Sequence, residues 1–122
     1  MILLALILAA EPAPMEPSLA GRWVDAERGV TSELSRQADG TWQGVAVASR
    51  VPGDVGKTTF SALRWDARGK RFVGTLHKPD DDQRVGVDLF VEGADALRGE
   101  AGVFIFRKTL RFSRAPRPDA GP

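Results

Sequence analysis

The chain has no cysteine among its 122 residues. Disulfides, thiolate metal sites, a thiol nucleophile and a lipid-anchored cysteine are therefore all excluded. It also has a single histidine, His77, so no second imidazole is available for a metal site. His77 follows an apolar position in its predicted strand, so we expect it on the outer surface. A small domain without disulfides depends on packing alone for its stability.

Charge of one sign is scarce as well, since 17 Lys and Arg residues oppose 16 Asp and Glu residues, for a net charge of +1. This balance gives no general attraction to nucleic acid or to anionic lipid, and no nucleic-acid partner is expected. The apolar fraction of 43% is typical of a globular protein and predicts a folded chain. The basic residues do gather late in the sequence, at Arg107, Lys108, Arg111, Arg114 and Arg117.

Motifs for catalysis and for metal binding are missing. The segment 51–59 is similar to a phosphate-binding loop, but Val51 stands where that loop requires glycine, and a strand pattern follows Lys57 where it requires a helix. Residues 80–82 are three aspartates without the alternating spacing and distal Glu of a calcium loop. There is no Gly-x-Ser-x-Gly motif and no obvious acid–base pair of carboxylates. We therefore expect no enzymatic activity, no metal and no cofactor.

The longest apolar run lies at the amino terminus, in residues 1–10, and prolines follow at positions 12 and 14. The run fits the ~7–15 residues of a signal peptide's hydrophobic region and is too short to cross a membrane, which takes about 20. No Lys or Arg precedes it, and a buried amino-terminal strand or helix is the alternative. We predict a signal peptide and proline-rich junction in residues 1–14, export to the periplasm or the extracellular space, and no membrane span once the signal is removed.

Residues 20–114 are predicted to form one β-barrel domain, and the Pro- and Ala-rich residues 115–122 a disordered tail. Short runs of alternating apolar residues are divided by turn signals, which is typical of an all-β protein. The pattern predicts about eight strands, at 21–25, 30–37, 41–49, 58–65, 71–77, 84–92, 97–101 and 103–114. Without crossover helices these strands should form an antiparallel meander, and closure into a barrel would remove its two exposed edges.

Several segments carry a family resemblance. Gly-Arg-Trp at 21–23 and Phe-Ser-Arg at 112–114 resemble the Gly-x-Trp and terminal basic signature of lipocalin-like (calycin) barrels. The segments 74–80, 97–99 and 108–114 are similar to a family of short exported bacterial domains of no established function with a lipocalin-like fold. The resemblance covers residues 20–114 and implies a fold and a location, and it carries no catalytic residues. If the meander closes, Trp23 and Arg114 meet at one end of the barrel, with Gly21 leaving room for the guanidinium over the indole.

The candidate ligand-binding residues are Lys108, Trp42, Trp65 and Phe106. One face of the last predicted strand is the more apolar and should point inward; it comprises Phe104, Phe106, Lys108, Leu110, Phe112 and Arg114. Lys108 would then need an anionic partner, either an acidic residue across the barrel or a ligand carboxylate. Alternatively, Lys108 reaches the rim, or a bulge at positions 107 and 108 resets the register. The tryptophans either line a pocket or simply fill the core and the barrel ends.

Two functions remain open. The first is a non-enzymatic exported module that binds a small apolar or amphipathic ligand inside the barrel, using space left by Gly44, Ala46, Gly74 and Gly99. The alternative is a structural or protein-interaction domain of the cell envelope with a filled barrel, for which Phe90, Val103 and Ile105 would form an exposed apolar patch. The sequence does not identify a protein partner.

The signal-peptide prediction can be tested directly. We expect residues 1–14, fused to a reporter that is active only outside the cytoplasm, to produce reporter activity. Retention of the reporter in the cytoplasm, with the natural start site in place, would contradict export.

Overall fold

The computed structural model describes residues 15–78, 82–103 and 105–116, and shows an antiparallel barrel. Its strands are β1 (Gly21–Asp25), β2 (Val30–Arg36), β3 (Trp42–Ser49), β4 (Thr58–Asp66), β5 (Arg71–Lys78), β6 (Gln83–Gly93), β7 (Ala96–Val103) and β8 (Phe106–Arg114), with a 3₁₀ turn at Pro52–Asp54. Each strand pairs with the next, and β1 pairs with β8. This confirms the predicted all-β meander of eight strands and its closure.

Some of the sequence lies outside this description. The predicted signal peptide in residues 1–14 and residues 117–122 of the predicted tail are outside the described residues, as are Phe104 and two of the three aspartates at 80–82. Within the described part of the chain, no helix is long and apolar enough to cross a membrane.

The last hairpin differs from the sequence-based prediction. β1 to β6 begin and end within one residue of their predicted bounds, but the single long strand predicted for 103–114 is wrong. β7 continues to Val103, which pairs with Phe106 at the start of β8. Gly102, at φ +132°, makes this reversal possible, because a Cβ there would collide with the Phe106 carbonyl oxygen. The turn residues are apolar and lack the usual Gly, Asn, Asp or Pro signal. The sequence pattern of residues 103–114 therefore gave no indication of a turn.

The two ends of the barrel are built differently. At one end, hereafter the closed end, lie the start of β1, the last residue of β8 and the β2–β3, β4–β5 and β6–β7 turns. Leu19, immediately before β1, is fully buried there and accepts a 3.0 Å hydrogen bond at its carbonyl from Trp23 Nε1. At the opposite end, hereafter the open end, lie the β1–β2, β3–β4, β5–β6 and β7–β8 connections.

Large side chains occupy the space beside the inward-facing glycines. A Cβ on Gly44 would lie 2.9 Å from Phe60, and one on Gly99 would lie 3.1 Å from Phe112. At Gly74 it would lie 2.8 Å from the Leu63 Cα, because the β4 backbone itself comes close there. The sequence leaves open whether these small residues leave space or the barrel is filled, and the structure shows the space beside these three glycines occupied. They accommodate neighbouring rings and backbone, and the middle of the barrel is filled by a continuous apolar core.

Arg114 joins the first and last strands at the closed end. It is the β-pair partner of Trp23, and its guanidinium carbon lies 4.2 Å from the indole centroid. Its Nη1 donates to Ala20 O at 2.8 Å and its Nε to Ala94 O at 3.0 Å. A Cβ on Gly21 would lie 2.9 Å from Nη1, so the glycine leaves the room that the guanidinium occupies. The side chain thus stabilises the barrel seam through a cation–π contact and two hydrogen bonds.

We expect Arg114→Ala to lower the free energy of unfolding by about 1–3 kcal/mol, because it removes the cation–π contact and the hydrogen bonds. Arg114→Lys should recover only part of the loss, since an ammonium stacks poorly on an indole. Arg111→Ala, on the exposed face of the same strand, is the matched control and should cost about 0.5 kcal/mol or less. Urea denaturation followed by circular dichroism measures these differences.

A double-mutant cycle with Trp23→Leu isolates the coupling between the two side chains. Strict additivity of the Trp23→Leu and Arg114→Ala effects would contradict a stabilising contact between them.

Candidate functional site

A cavity of about 250 Å³ opens at the open end of the barrel, hereafter the mouth cavity. It lies among β5, β6, β7 and β8, with Arg28 reaching it from the β1–β2 turn. Its apolar lining is Leu76, Val85, Ala101, Val103, Phe106 and Leu110, and its charged lining is Arg28, Lys78 and Lys108. Within residues 15–78, 82–103 and 105–116, the charged residues that line it are therefore all basic.

The alternation of β8 determines what faces this cavity. Leu110 and Phe112 are buried in the core, whereas Lys108 and Phe106, two and four residues before Leu110, lie beyond the filled part of the barrel and are exposed. The prediction that Lys108 sits buried among apolar neighbours is wrong, because the strand has reached the rim at that point. The alternative, that the ammonium lies at the rim, is what the structure shows.

The cations of the mouth have acidic neighbours outside the lining. Lys108 Nζ lies 3.1 Å from Glu27 Oε1, and both side chains are more than half exposed. Arg28 Nε lies 4.0 Å from Asp25 Oδ2. The exposed Lys108–Glu27 pair contributes little, because water competes for both partners. An anion arriving at the mouth can therefore replace Glu27 as the partner of Lys108 at small cost.

A small recess with polar and apolar walls adjoins the mouth. It has a volume of about 20 Å³ and shares Arg28 and Leu76 with the mouth cavity. Three buried polar side chains line it: Asp25, Ser32 and Thr59. Asp25 accepts the Arg28 backbone N–H at 3.1 Å, while Thr59 Oγ1 has no hydrogen-bond partner among the described residues. The recess is large enough for one water-sized group.

Trp42 and Trp65 do not join Lys108 and Phe106. Both tryptophans belong to the closed end, where β3 begins and β4 ends. Trp42 is buried and donates from Nε1 to Glu16 Oε2 at 2.7 Å. Trp65 packs on Phe72, with ring centroids 4.9 Å apart. The structure therefore places the two tryptophans among the core and end-filling residues, and brings only Lys108 and Phe106 to a cavity.

Arg28, Lys78 and Val85 line the mouth and were not identified from the sequence as candidate ligand residues. Arg28 lies in a turn, and Lys78 ends β5. The available signal was topological. In an antiparallel meander, alternate turns and strand ends converge at one end of the barrel, and basic residues placed there come close together.

His77 lies on the outer face of β5, as the alternation predicts. Ser61 Oγ and His77 Nε2 lie 2.7 Å apart on neighbouring strands. Burial lowers the pKa of His77 because it disfavours the charged ring; Arg84 lowers it further, and Asp82 opposes both. Among the residues that the structure describes, no three His, Asp or Glu side chains group as metal ligands.

Comparison of the chain with protein-family models, with curated proteins and with solved structures finds no match in any of the three.

The His77 pKa predicts a pH dependence. The lowered value means that, below the ordinary pKa of 6.5, the unfolded chain binds more protons at this position than the folded one. The stability that neutral His77 contributes is therefore present above pH 6.5 and is lost as the pH falls through the folded pKa. NMR titration of the ring should show a midpoint below that of the urea-unfolded chain, and His77→Gln should remove this part of the pH dependence, which lies below the ordinary pKa of 6.5. A folded midpoint at or above the unfolded one would contradict this.

Proposed function

We propose that this chain is a non-enzymatic binding module that holds a small amphipathic anion in the mouth cavity. One observation supports the proposal above all: an apolar cavity whose charged lining, among the residues that the structure describes, consists of three cations. The buried Leu76 and Leu110 form apolar walls that favour a hydrocarbon chain. The anionic end of such a ligand would emerge into solvent beside three cations: Lys78, Lys108 and Arg28.

The size of the cavity limits the ligand. Ligand pockets usually have volumes of about 300–1,000 Å³, so 250 Å³ is small. At roughly 30 Å³ per heavy atom, by analogy with water, it accommodates about eight atoms. A short straight-chain carboxylate, or one end of a longer acyl chain, has this size. The filled core below the cavity prevents deeper entry, since Phe60 and Phe112 meet there with ring centroids 5.6 Å apart.

We also propose that the protein is exported and belongs with the short lipocalin-like exported domains that it resembles. The apolar residues 1–10 support export because their length suits a signal peptide. The resemblance is supported by Gly-Arg-Trp at 21–23 and by the antiparallel meander, which closes where Arg114 meets Trp23.

A second candidate function is a structural or protein-interaction domain with a filled barrel. The specific observation in its favour is that rings and backbone occupy the space beside Gly44, Gly74 and Gly99. This candidate differs from the first in needing no small ligand at the mouth.

We expect octanoate to bind the wild-type chain in calorimetric titration, and Lys108→Ala to weaken it about two- to five-fold, as loss of one exposed charge pairing implies. Phe106→Ala should also weaken binding by removing apolar contact area. Arg111→Ala is the matched control: it removes a cation from the outward face of β8, and binding should not change.

Native mass spectrometry of the protein purified from its source adds an independent measurement, in which a bound acyl anion appears as added mass. Failure of octanoate and its longer homologues to bind, together with a ligand-free native mass, would overturn the proposal and favour the filled-barrel alternative.

A further inference from the structure

The β7–β8 connection presents apolar side chains to solvent. Three described residues of this connection, Val103, Ile105 and Phe106, are hereafter the apolar tip, and they belong to the run Val-Phe-Ile-Phe at 103–106. Val103 is 58% exposed, Ile105 87% and Phe106 77%. Solvent-facing turns are usually polar, and burying such side chains is favourable wherever an apolar phase is available. The tip thus provides apolar surface that is free to contact something outside the barrel.

Beyond the tip, β6 adds little exposed apolar surface. Phe90, which the sequence suggested as part of a wider patch, lies on β6 under the Arg98 guanidinium, 4.3 Å from the ring centroid, and is half-buried. Val91, further along β6, is only 39% exposed. Val51 and Val55, in the β3–β4 connection at the same end of the barrel, are also 55% and 50% exposed. The exposed apolar area of the open end is therefore divided between turns. Small apolar patches on turns suit insertion into a fluid interface better than the broad, complementary contact of a stable protein interface.

Basic residues surround the tip. Arg107 and Lys108 follow it directly in β8, and Lys78 and Arg28 line the mouth that Val103 and Phe106 border. Arg107 pairs with Asp88 at 3.3 Å and Lys108 with Glu27 at 3.1 Å, both through exposed cationic side chains that can exchange partners. Apolar residues flanked by Lys and Arg are the combination that binds the interface of an anionic bilayer.

We infer that the apolar tip docks the open end of the barrel onto an anionic lipid bilayer. The tip inserts among the acyl chains near the headgroups, while Lys78, Arg107 and Lys108 contact lipid phosphates. The net charge of +1 gives no long-range attraction, so docking depends on the tip and on these local cations together. The inference rests on the proposed function in one respect: docking places the mouth cavity at the lipid surface, where an acyl chain can enter it directly.

Sedimentation with vesicles of phosphatidylglycerol and phosphatidylcholine in equal parts tests the docking. We expect the full-length wild-type chain to sediment, and Ile105→Asp to reduce its partition at least about ten-fold, since an apolar contact is replaced by a charge. Ile105 does not line the mouth cavity, so this change leaves the proposed ligand site intact. Val91→Asp, near the closed end, is the matched control and should partition as the wild type does.

Partition into phosphatidylcholine vesicles alone should be at least about five-fold weaker, because this lipid is zwitterionic and its vesicles carry no net negative charge to attract the cations. Equal partition into the two vesicle types would overturn the anionic-lipid assignment.

The apolar residues 1–10 are present in every variant, so a second measurement must locate the contact. In NMR spectra recorded with vesicles that carry a nitroxide-labelled lipid, amide signals of residues 103 and 105–108 should broaden, and those of residues 94 and 95 at the closed end should not. Broadening at the closed end instead, or equal partition of Ile105→Asp and wild type, overturns the inference. So does a wild-type dimer that Ile105→Asp dissociates, since the tip would then be covered by a second copy.

The two proposals fail separately. If the protein binds octanoate but does not partition into the vesicles, only the docking is overturned. Vesicle docking by a protein that binds no octanoate supports the docking and overturns the proposed ligand.

Discussion

The closure of β1 against β8 is the constraint on which the barrel depends. That seam has only two paired positions, whereas β7 and β8 pair along their whole length. Backbone pairing alone is therefore weakest at the seam. Arg114 compensates through its side chain, which contacts the Trp23 indole and the carbonyls of Ala20 and Ala94. One guanidinium thus links the start of the barrel, its last strand and the β6–β7 turn, and protects two strand edges that would otherwise be exposed.

The closed seam also explains why the barrel's two ends differ. Large side chains are concentrated at the closed end, where Leu19 and Trp23 are buried and Glu16 accepts the Trp42 indole N–H. At the open end the inward positions carry smaller or polar residues, among them Ala101, Ser32 and Thr59. The largest buried side chains stabilise the closed end and the middle of the barrel, so the rim of the open end contributes less to the core. The mouth cavity and its cations lie at that second end.

The sequence predicts the fold in detail, because alternation and turn chemistry act locally. Asp39-Gly40 and the Arg68-Gly69 turn lie between strands as their residue types require. Prediction fails where the determining contact is distant in sequence. The space beside Gly74 is taken by the β4 backbone, and whether Lys108 is buried depends on how far the core extends toward the rim. Neither fact is encoded in the neighbouring residues. Of the four candidate ligand-binding residues, the structure therefore brings only two, Lys108 and Phe106, to the mouth cavity.

The apolar tip is the one connection that departs from local turn chemistry, and the fold does not require it to do so. The hairpin is held by the ladder between β7 and β8 and by Gly102, whose conformation makes the reversal sterically feasible. Val103, Ile105 and Phe106 are largely solvated, so the hydrophobic effect gives them little stabilising contribution in the free protein. Transfer of these side chains from water to an apolar phase would lower the free energy of the system. Local departures from foldability rules tend to mark functional sites. Two residues of the tip, Val103 and Phe106, also line the mouth cavity. The tip and the cavity therefore form one continuous surface at the open end of the barrel.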